Sequence, residues 1–276
     1  MTAHLGDLLG WVCTINEPNV VPMIRDMARG SEHGTGAAPG RARLGLEAAA
    51  RKAGADPDRF RPWTRPPADP VGAMAAAHRA CCEAVRAGRG DARVGWTLAL
   101  ADFQAVEGGE DRAAGARRAH AESWLEVSRD DDFVGVQTYT RELIGPSGRV
   151  PPPAGAPTTQ MGWEVYPESL EHTVRLAAAV SGVPVLVTEN GIATDDDDQR
   201  IAYTARALQG LARCQRDGVD VRGYVHWTLL DNFEWLRGYE PRFGLVAVDT
   251  TTFERTVKPS ARWLGAVARR NGLGDR

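Results

Sequence analysis

The chain has 276 residues, a formal net charge of -3 and four cysteines. Its length suits one large domain, and a small net charge with both signs interspersed argues against nucleic acid or an anionic membrane as a partner. No apolar run is long enough to span a bilayer and residues 1–20 carry no targeting signal, so we expect a soluble, cytoplasmic protein. The cysteines follow neither a disulfide nor a metal-binding pattern, so we expect reduced thiols and no metal.

Short apolar segments alternate with segments of helical periodicity along the chain. The predicted strands, rich in Val, Leu and aromatic residues, are 11–15, 93–100, 133–139, 183–188 and 221–229. The predicted helices are 71–87, 111–127, 168–180, 198–217 and 260–270. This alternation predicts an α/β fold with a parallel sheet. Two Pro/Gly-rich intervals, 30–70 and 145–160, are longer than ordinary connections, and disorder is an equal alternative for residues 41–61.

Two glutamates stand at the ends of predicted strands. Glu17 follows the first strand within Asn16-Glu17-Pro18, and Glu189 follows the fourth within Thr188-Glu189-Asn190-Gly191. The C-terminal ends of strands are where an α/β barrel holds its reactive groups. A pair of carboxyl groups cleaves glycosidic bonds, because one protonates the leaving oxygen while the other attacks or screens the anomeric carbon. The residues alone leave open that each Glu caps a helix or faces solvent.

Residues 223–246 combine aromatic and acidic side chains, among them Trp227, Glu234, Trp235 and Phe243. A pyranose has an apolar face that stacks on indole and a rim of hydroxyls that a carboxylate can bind. The segment therefore predicts a carbohydrate site, whereas aromatic residues without the acidic ones would indicate core.

On these motifs the chain resembles glycoside hydrolase family 1, the retaining enzymes of β-glucosidase type. Asn16-Glu17-Pro18 resembles the family's acid/base motif, Thr188-Glu189-Asn190-Gly191 its nucleophile motif, and residues 227–245 its C-terminal signature. Further similar segments follow in the family's order at 38–40, around His78, and at 132–136 and 162–167. The resemblance implies a (β/α)8 TIM-barrel fold, with residues 1–276 forming one catalytic domain.

The resemblance also implies that the barrel is incomplete. The family carries its acid/base motif on the fourth barrel strand, and here that motif begins at Asn16. We therefore expect an N-terminally truncated domain with about five of eight βα units, strand 4 to strand 8, whose long loops after strands 4 and 6 shape the aglycone side. The early Gln and the His-Trp pair that hold the sugar's O3 and O4 edge have no counterpart. An open barrel exposes unpaired edges, which predicts self-association.

Roles at the reacting bond follow from the resemblance. Glu189 is expected to attack the anomeric carbon, while Glu17 protonates the leaving group and then activates water. Tyr139 is expected to donate to Glu189, and Asn16 to bind the sugar's 2-hydroxyl. The alternatives are an ordinary strand tyrosine and a turn-forming asparagine.

Roles around the sugar follow in the same way. Glu234 is expected to accept from the O4 and O6 hydroxyls, Trp235 to donate to O3, Trp227 to form the stacking floor and Phe243 to close the pocket near O6. Gln137 stands in the substrate site where the family has Asn, and its longer amide predicts altered tuning.

The remaining polar motifs predict structural roles. The acidic run 195–198 lacks the ligand spacing of a calcium loop and precedes a predicted helix, where negative charge is favourable. His78 and His226 have no partner carboxylate that the sequence identifies, and no cluster of Cys with His is evident. We expect no cofactor.

Together these features favour hydrolysis of terminal β-D-glycosidic bonds, as in β-glucosidases and β-galactosidases, with retention through a covalent glycosyl-enzyme. The expected substrate is a small β-glucoside or oligosaccharide. The alternative is a non-catalytic sugar-binding or interaction protein that kept the motifs.

Overall fold

The computed structural model describes residues 2–23, 50–52, 54, 56 and 67–274. The described strands are β1 Trp11–Asn16, β2 Arg93–Ala99, β3 Asp102–Ala105, β4 Val134–Gln137, β5 Arg141–Gly145, β6 Gly148–Val150, β7 Val185–Asn190, β8 Val221–His226, β9 Val246–Val248 and β10 Arg255–Val257. The described helices are α1 Thr2–Leu5, α2 Pro70–Arg86, α3 Glu110–Arg117, α4 Ser123–Leu125, α5 Ser169–Ser181, α6 Asp197–Arg216 and α7 Pro259–Arg270. In the part of the chain so described, no helix is both long and apolar enough to cross a membrane.

The five predicted strands are confirmed and form one parallel sheet. Its order is β1-β2-β4-β7-β8, with every neighbouring pair parallel. Helices lie between consecutive strands of this sheet, as α/β barrels require; they are α2, α3, α5 and α6. The five parallel strands thus form part of a (β/α) barrel. Within the described residues, β1 and β8 each pair with one neighbour only.

The core lies between the sheet and the helices. Strands β2 and β4 are buried almost throughout, and β7 alternates between buried and half-buried residues, which explains their largely apolar sequences. Trp96 and Trp124 face each other there with ring centroids 6.1 Å apart. The surrounding buried side chains are Leu98, Leu125, Val134, Val136, Leu170, Val174, Val185, Val187 and Leu211.

Local capping fixes where two of the long helices begin. The Asp69 side chain accepts from the Gly72 backbone N–H at the start of α2, where Pro70 occupies the first turn. The Asp196 side chain accepts from the N–H groups of Asp198 and Gln199 at the start of α6. The acidic run 195–198 is therefore a helix cap, as its position before a helix predicted.

The helix predicted at 111–127 is interrupted. A π-helical turn, Arg118–Glu122, separates α3 from α4, and a 3-10 turn, Glu126–Asp130, follows. A π turn inserts one residue and rotates the following side chains. In this arrangement the Trp124 indole N–H donates to the Ala119 carbonyl and its ring joins the core.

The expectation of an irregular loop at 145–160 was wrong at its start. β5 and β6 form an antiparallel hairpin with Gly145 paired to Gly148, and β3 adds alongside β5. The two-residue turn places Gly148 at φ 124°, a backbone conformation that only glycine adopts readily. The interval 30–70 and the similar segment 38–40 lie largely outside the described residues.

Candidate active site

The C-terminal ends of β1, β4 and β7 bring their polar residues together. Each strand pair loses its regular register near that end: β1 with β2 between Cys13 and Asn16, and β4 with β7 between Val136 and Gln137. Such irregularities re-aim side chains that strict alternation would point elsewhere. As a result, Asn16, Gln137 and Glu189 meet although they are distant in the chain.

Glu17 follows β1 in an unusual backbone conformation. Its φ is 49°, in the left-handed region, and its N–H donates to the Thr97 carbonyl at 2.9 Å. A non-glycine residue held there costs about 1–3 kcal/mol, and such strain persists where the surrounding structure fixes it, often at functional sites. The β2 backbone thus holds Glu17 at the C-terminal end of β1.

The Glu189 carboxylate receives a hydrogen bond at each oxygen. The Tyr139 hydroxyl donates to Oε2 at 2.5 Å, and Gln137 Nε2 donates to Oε1 at 2.5 Å. Short hydrogen bonds to a charged acceptor orient it strongly. Glu189 is consequently held in one position by two donors from the end of β4 and the residues just beyond it.

Tyr139 is itself fixed by its surroundings. Its ring contacts Trp163 at 5.6 Å and Phe243 at 5.9 Å between centroids. Its carbonyl accepts from the Tyr203 hydroxyl at 2.7 Å, and the same hydroxyl accepts from Asn190 Nδ2 at 3.1 Å. The donor to Glu189 is therefore anchored by α6 and by an aromatic cluster whose Phe243 ring is buried.

Three carboxyl groups act on one another in this site. Burial and the charges of Glu189 and Glu234 raise the pKa of Glu17 to about 7. Burial also raises the pKa of Glu189, opposed by the Tyr139 hydrogen bond and assisted by the charge of Glu234. Two carboxyl groups in different environments can serve as an acid and a base at one pH. Here Glu17 keeps a substantial protonated fraction near neutral pH, and Glu189 has the donors that favour its ionised form.

The residues expected around a sugar lie in different environments. Trp227 Nε1 donates to Glu234 Oε1 at 3.2 Å, so the indole orients the carboxylate. Trp235 is 80% exposed, in a 3-10 turn with φ 48°. Phe243 is buried in the cluster with Tyr139 and Trp163, and its expected place near O6 stays a prediction.

Sequence reasoning missed several supporting residues. Trp163 lies in a family-like segment but had no role until its contact with Tyr139 appeared. Asn190 belongs to the motif of Glu189, and its amide donates to the Thr138 carbonyl at 2.8 Å. Tyr203 gave no signal, because a tyrosine within an amphipathic helix looks like ordinary core.

His226 is half-buried, and His78 is fully buried. Burial lowers the pKa of His226 to about 4, so its ring is neutral near pH 7. His78 is 1% exposed and stacks on Trp96 at 4.6 Å. Its Nε2 lies 2.9 Å from Asp131 and its Nδ1 2.6 Å from the Thr14 hydroxyl. The histidine thus has a carboxylate partner that the sequence could not identify.

The Cys82 thiol lies beside His78, so the expectation that the chain has no cluster of Cys with His was wrong. The ligand atoms of His78, Cys82 and Asp131 lie within 4.8 Å of one another. Burial raises the pKa of Cys82 to about 11, so the thiol is protonated near neutral pH. Both imidazole nitrogens already have oxygen partners. The group is a hydrogen-bonded cluster that ties α2 to β1.

The chain is similar in sequence to known glycosyl hydrolases. The family model of glycosyl hydrolase family 1 matches residues 120–273. The 1,4-beta-D-glucan glucohydrolase of Thermotoga neapolitana is 35% identical over 173 residues, which is 57% of this chain and 39% of that protein. The beta-galactosidase of Sulfolobus acidocaldarius is 38% identical over 159 residues, which is 52% of this chain and 32% of that protein.

The solved structure of beta-glycosidase BGL167 agrees over the whole chain. It has a TM-score of 0.89 at 49% identity, covering 100% of this chain and 66% of its own. This chain therefore spans less than two thirds of these relatives. With the family model matched over more than half of its residues and the parallel strands of a (β/α) barrel in place, the chain belongs to glycosyl hydrolase family 1.

Proposed function

We propose that this site hydrolyses terminal β-D-glucosidic or β-D-galactosidic bonds with retention of configuration. The observation that carries the proposal is the pairing of Glu189, held by donors at both oxygens, with Glu17, whose pKa is raised to about 7. Its substrate is a small β-glucoside or oligosaccharide. The names of the relatives, a glucan glucohydrolase and a beta-galactosidase, support this substrate class.

In the first step Glu189 attacks the anomeric carbon and forms a glycosyl ester. Tyr139 and Gln137 hold its carboxylate in the attacking orientation. The bond to the aglycone oxygen breaks, and Glu17 transfers its proton to that oxygen. A pKa of about 7 keeps Glu17 mostly protonated at mildly acidic pH and leaves about half of it protonated at pH 7, as this step requires.

The second step depends on the loss of the negative charge of Glu189 in the first step. Once Glu189 is an ester, its negative charge no longer raises the pKa of Glu17, so Glu17 becomes a better base at the same pH. Glu17 takes a proton from water, the hydroxyl adds to the anomeric carbon, and Glu189 leaves as a carboxylate. Two displacements return the sugar in its original β configuration.

Sugar recognition falls to a residue at the end of β1 and to residues 227–235, which follow β8. Asn16 binds the 2-hydroxyl, and Glu234 accepts from two hydroxyls in an orientation fixed by the Trp227 indole. Trp227 offers its face to the pyranose, and Trp235 donates to O3. Aromatic and carboxylate groups together match the apolar face and polar rim of a pyranose.

The test is hydrolysis of 4-nitrophenyl β-D-glucoside by the 276-residue chain. Glu189→Gly should abolish phenol release, and azide should restore it with an α-glucosyl azide as product, because the small anion replaces the missing carboxylate. Glu107→Gly, at an exposed carboxylate, is the matched control and should keep full activity. Activity that survives Glu189→Gly without azide would remove Glu189 from this role.

Sugar binding without turnover is the second candidate, favoured by the 80% exposure of Trp235. A residue so open is poorly desolvated for a transition-state contact. Under this candidate, titration with cellobiose quenches tryptophan fluorescence saturably while no phenol is released from the aryl glucoside.

We also infer that the chain associates with a second copy. The supporting observations are the single strand neighbour of β1 and of β8 in the described sheet and the exposure of Trp11 and Val225 on those strands. Unpaired edge strands with apolar side chains are templates for pairing. Size-exclusion chromatography with light scattering should show a mass above 29.8 kDa, and a monomer at all concentrations would contradict the inference.

A further inference from the structure

One amide group connects two residues of the proposed site. Gln137 is the last residue of β4 and is 2% exposed. Its Nε2 lies 2.9 Å from Asn16 Oδ1 and 2.5 Å from Glu189 Oε1. A side-chain amide nitrogen has two hydrogens, so it can donate to both oxygens at once.

The chemistry of the partners fixes which way both amides face. A carboxylate can only accept, so the nitrogen of Gln137 must face Glu189. The same nitrogen also donates to Asn16 Oδ1. The Asn16 oxygen therefore faces Gln137, and the Asn16 nitrogen points away from it. Asn16 is thereby oriented to donate to an acceptor such as a sugar oxygen.

The other end of the Gln137 amide argues against a packing role alone. Gln137 Oε1 is buried and has no hydrogen-bond partner among the described residues. A buried acceptor without a partner is unfavourable, and an apolar side chain of similar length would avoid it. The role of the amide is therefore in the two hydrogen bonds that its nitrogen donates.

We propose that Gln137 is a positioning residue, which through the two N–H bonds of one amide holds Asn16 and Glu189 in the relative placement needed for glycoside cleavage. Its consequence for catalysis rests on the proposed function, whereas the two hydrogen bonds do not. In this role Gln137 acts through its two neighbours, and its expected contact with the substrate stays a prediction.

The charged form of Glu189 depends on the groups around it. Tyr139 donates to its second oxygen, whereas burial and the negative charge of Glu234 oppose its ionisation. Replacing Gln137 by Met leaves these groups in place and removes the donor at Oε1. The ionised form then loses stabilisation, so the titration midpoint of Glu189 should rise.

The first experiment measures this midpoint without any turnover. The full chain is labelled with [5-13C]glutamate, the Glu189 resonance is identified by its loss in Glu189→Gln, and its shift is followed against pH. Gln137→Met should raise the midpoint by about one pH unit, the usual size for loss of one donor to a carboxylate. Gln104→Met is the matched control, because Gln104 also donates to a carboxylate, Asp102 at 2.6 Å, outside this site.

The second experiment measures hydrolysis of 4-nitrophenyl β-D-glucoside. Gln137→Met should lower kcat about tenfold or more and move the acidic limb of the pH profile upward, while the melting temperature stays equal or rises. Its effect and that of Asn16→Ala should be less than additive in the double variant, because both remove the same network.

The outcomes separate the two proposals. If the wild-type chain never releases phenol, the proposed function fails, and the NMR midpoint alone decides the role of Gln137. An unchanged midpoint in folded Gln137→Met overturns the positioning role. If Gln137→Met does not fold, Gln137→Leu decides, because it also removes the donor and has a shorter side chain: a raised midpoint supports the role and an unchanged one overturns it.

Discussion

Removal of the Tyr139 hydroxyl tests the central interaction of the site. Burial, the charge of Glu189 and the hydrogen bond to it hold the pKa of Tyr139 well above its ordinary value, so the hydroxyl stays protonated and donates. Tyr139→Phe deletes this donor and keeps the ring that packs on Trp163 and Phe243. The change is thus confined to one hydrogen bond at Glu189 Oε2.

The size of the effect follows from the kind of bond. A hydrogen bond to a charged group contributes about 1.5–3 kcal/mol, and each 1.36 kcal/mol is tenfold in rate, so kcat should fall about 10- to 150-fold. The free enzyme should also need a higher pH to ionise Glu189, because the Tyr139 bond lowers the pKa of that carboxyl. The acidic limb of kcat/KM should therefore move upward.

The assay is hydrolysis of 4-nitrophenyl β-D-glucoside between pH 4 and 9. Tyr166→Phe is the matched control, since the Tyr166 hydroxyl contacts Gln104 rather than a carboxylate of the site. An unchanged kcat together with an unmoved acidic limb in Tyr139→Phe would refute the reasoning. An equal loss in Tyr166→Phe would do the same, because it would show a general effect of losing a hydroxyl.

Two other predictions concern Glu17 and His78. Because the pKa of Glu17 is about 7 in the folded chain and lower when unfolded, its stabilising effect is present below the unfolded pKa and is lost as pH rises through 7. Glu17→Gln should therefore abolish activity. It should also melt at a higher temperature than wild type at pH 8, with little difference at pH 4. A lower melting temperature of the variant at pH 8 would contradict the burial of the Glu17 carboxyl group. His78→Ala should cost about 2–4 kcal/mol in urea unfolding, because it opens a cavity beside Trp96 and leaves Asp131 and Thr14 without their partner. His4→Ala, at an exposed histidine, should change the free energy of unfolding little, and an equal loss there would count against the His78 account.

Local patterns in the sequence predicted the parallel sheet well. Segments such as Arg93–Ala99 and Val185–Asn190 are short, apolar and β-branched, so their identity as buried strands depends on few distant contacts. The strand-end position of Glu17 and Glu189 could be anticipated for the same reason. The strands β3 and β5 escaped notice, because their mixed sequences become strands only by pairing with each other.

Tertiary contacts explain what the sequence could not supply. The link of Gln137 to both Asn16 and Glu189 depends on register shifts at two strand pairs, and no local pattern encodes such a shift. The pairing of His78 with Asp131 likewise joins a helix to a distant turn. Residue identities within motifs are visible in a sequence, whereas the groups that orient them come from elsewhere in the fold.

The Tyr203 hydroxyl carries a consequence for variation among relatives. It donates to the carbonyl of Tyr139 and accepts one hydrogen of the Asn190 amide, so a phenylalanine there would leave that carbonyl and that N–H group without this partner, while the other amide hydrogen keeps the Thr138 carbonyl. A substitution at position 190 that removes the side-chain amide would relieve the unpaired N–H group. Position 203, in a helix outside the sheet, should therefore covary with position 190 across homologous sequences.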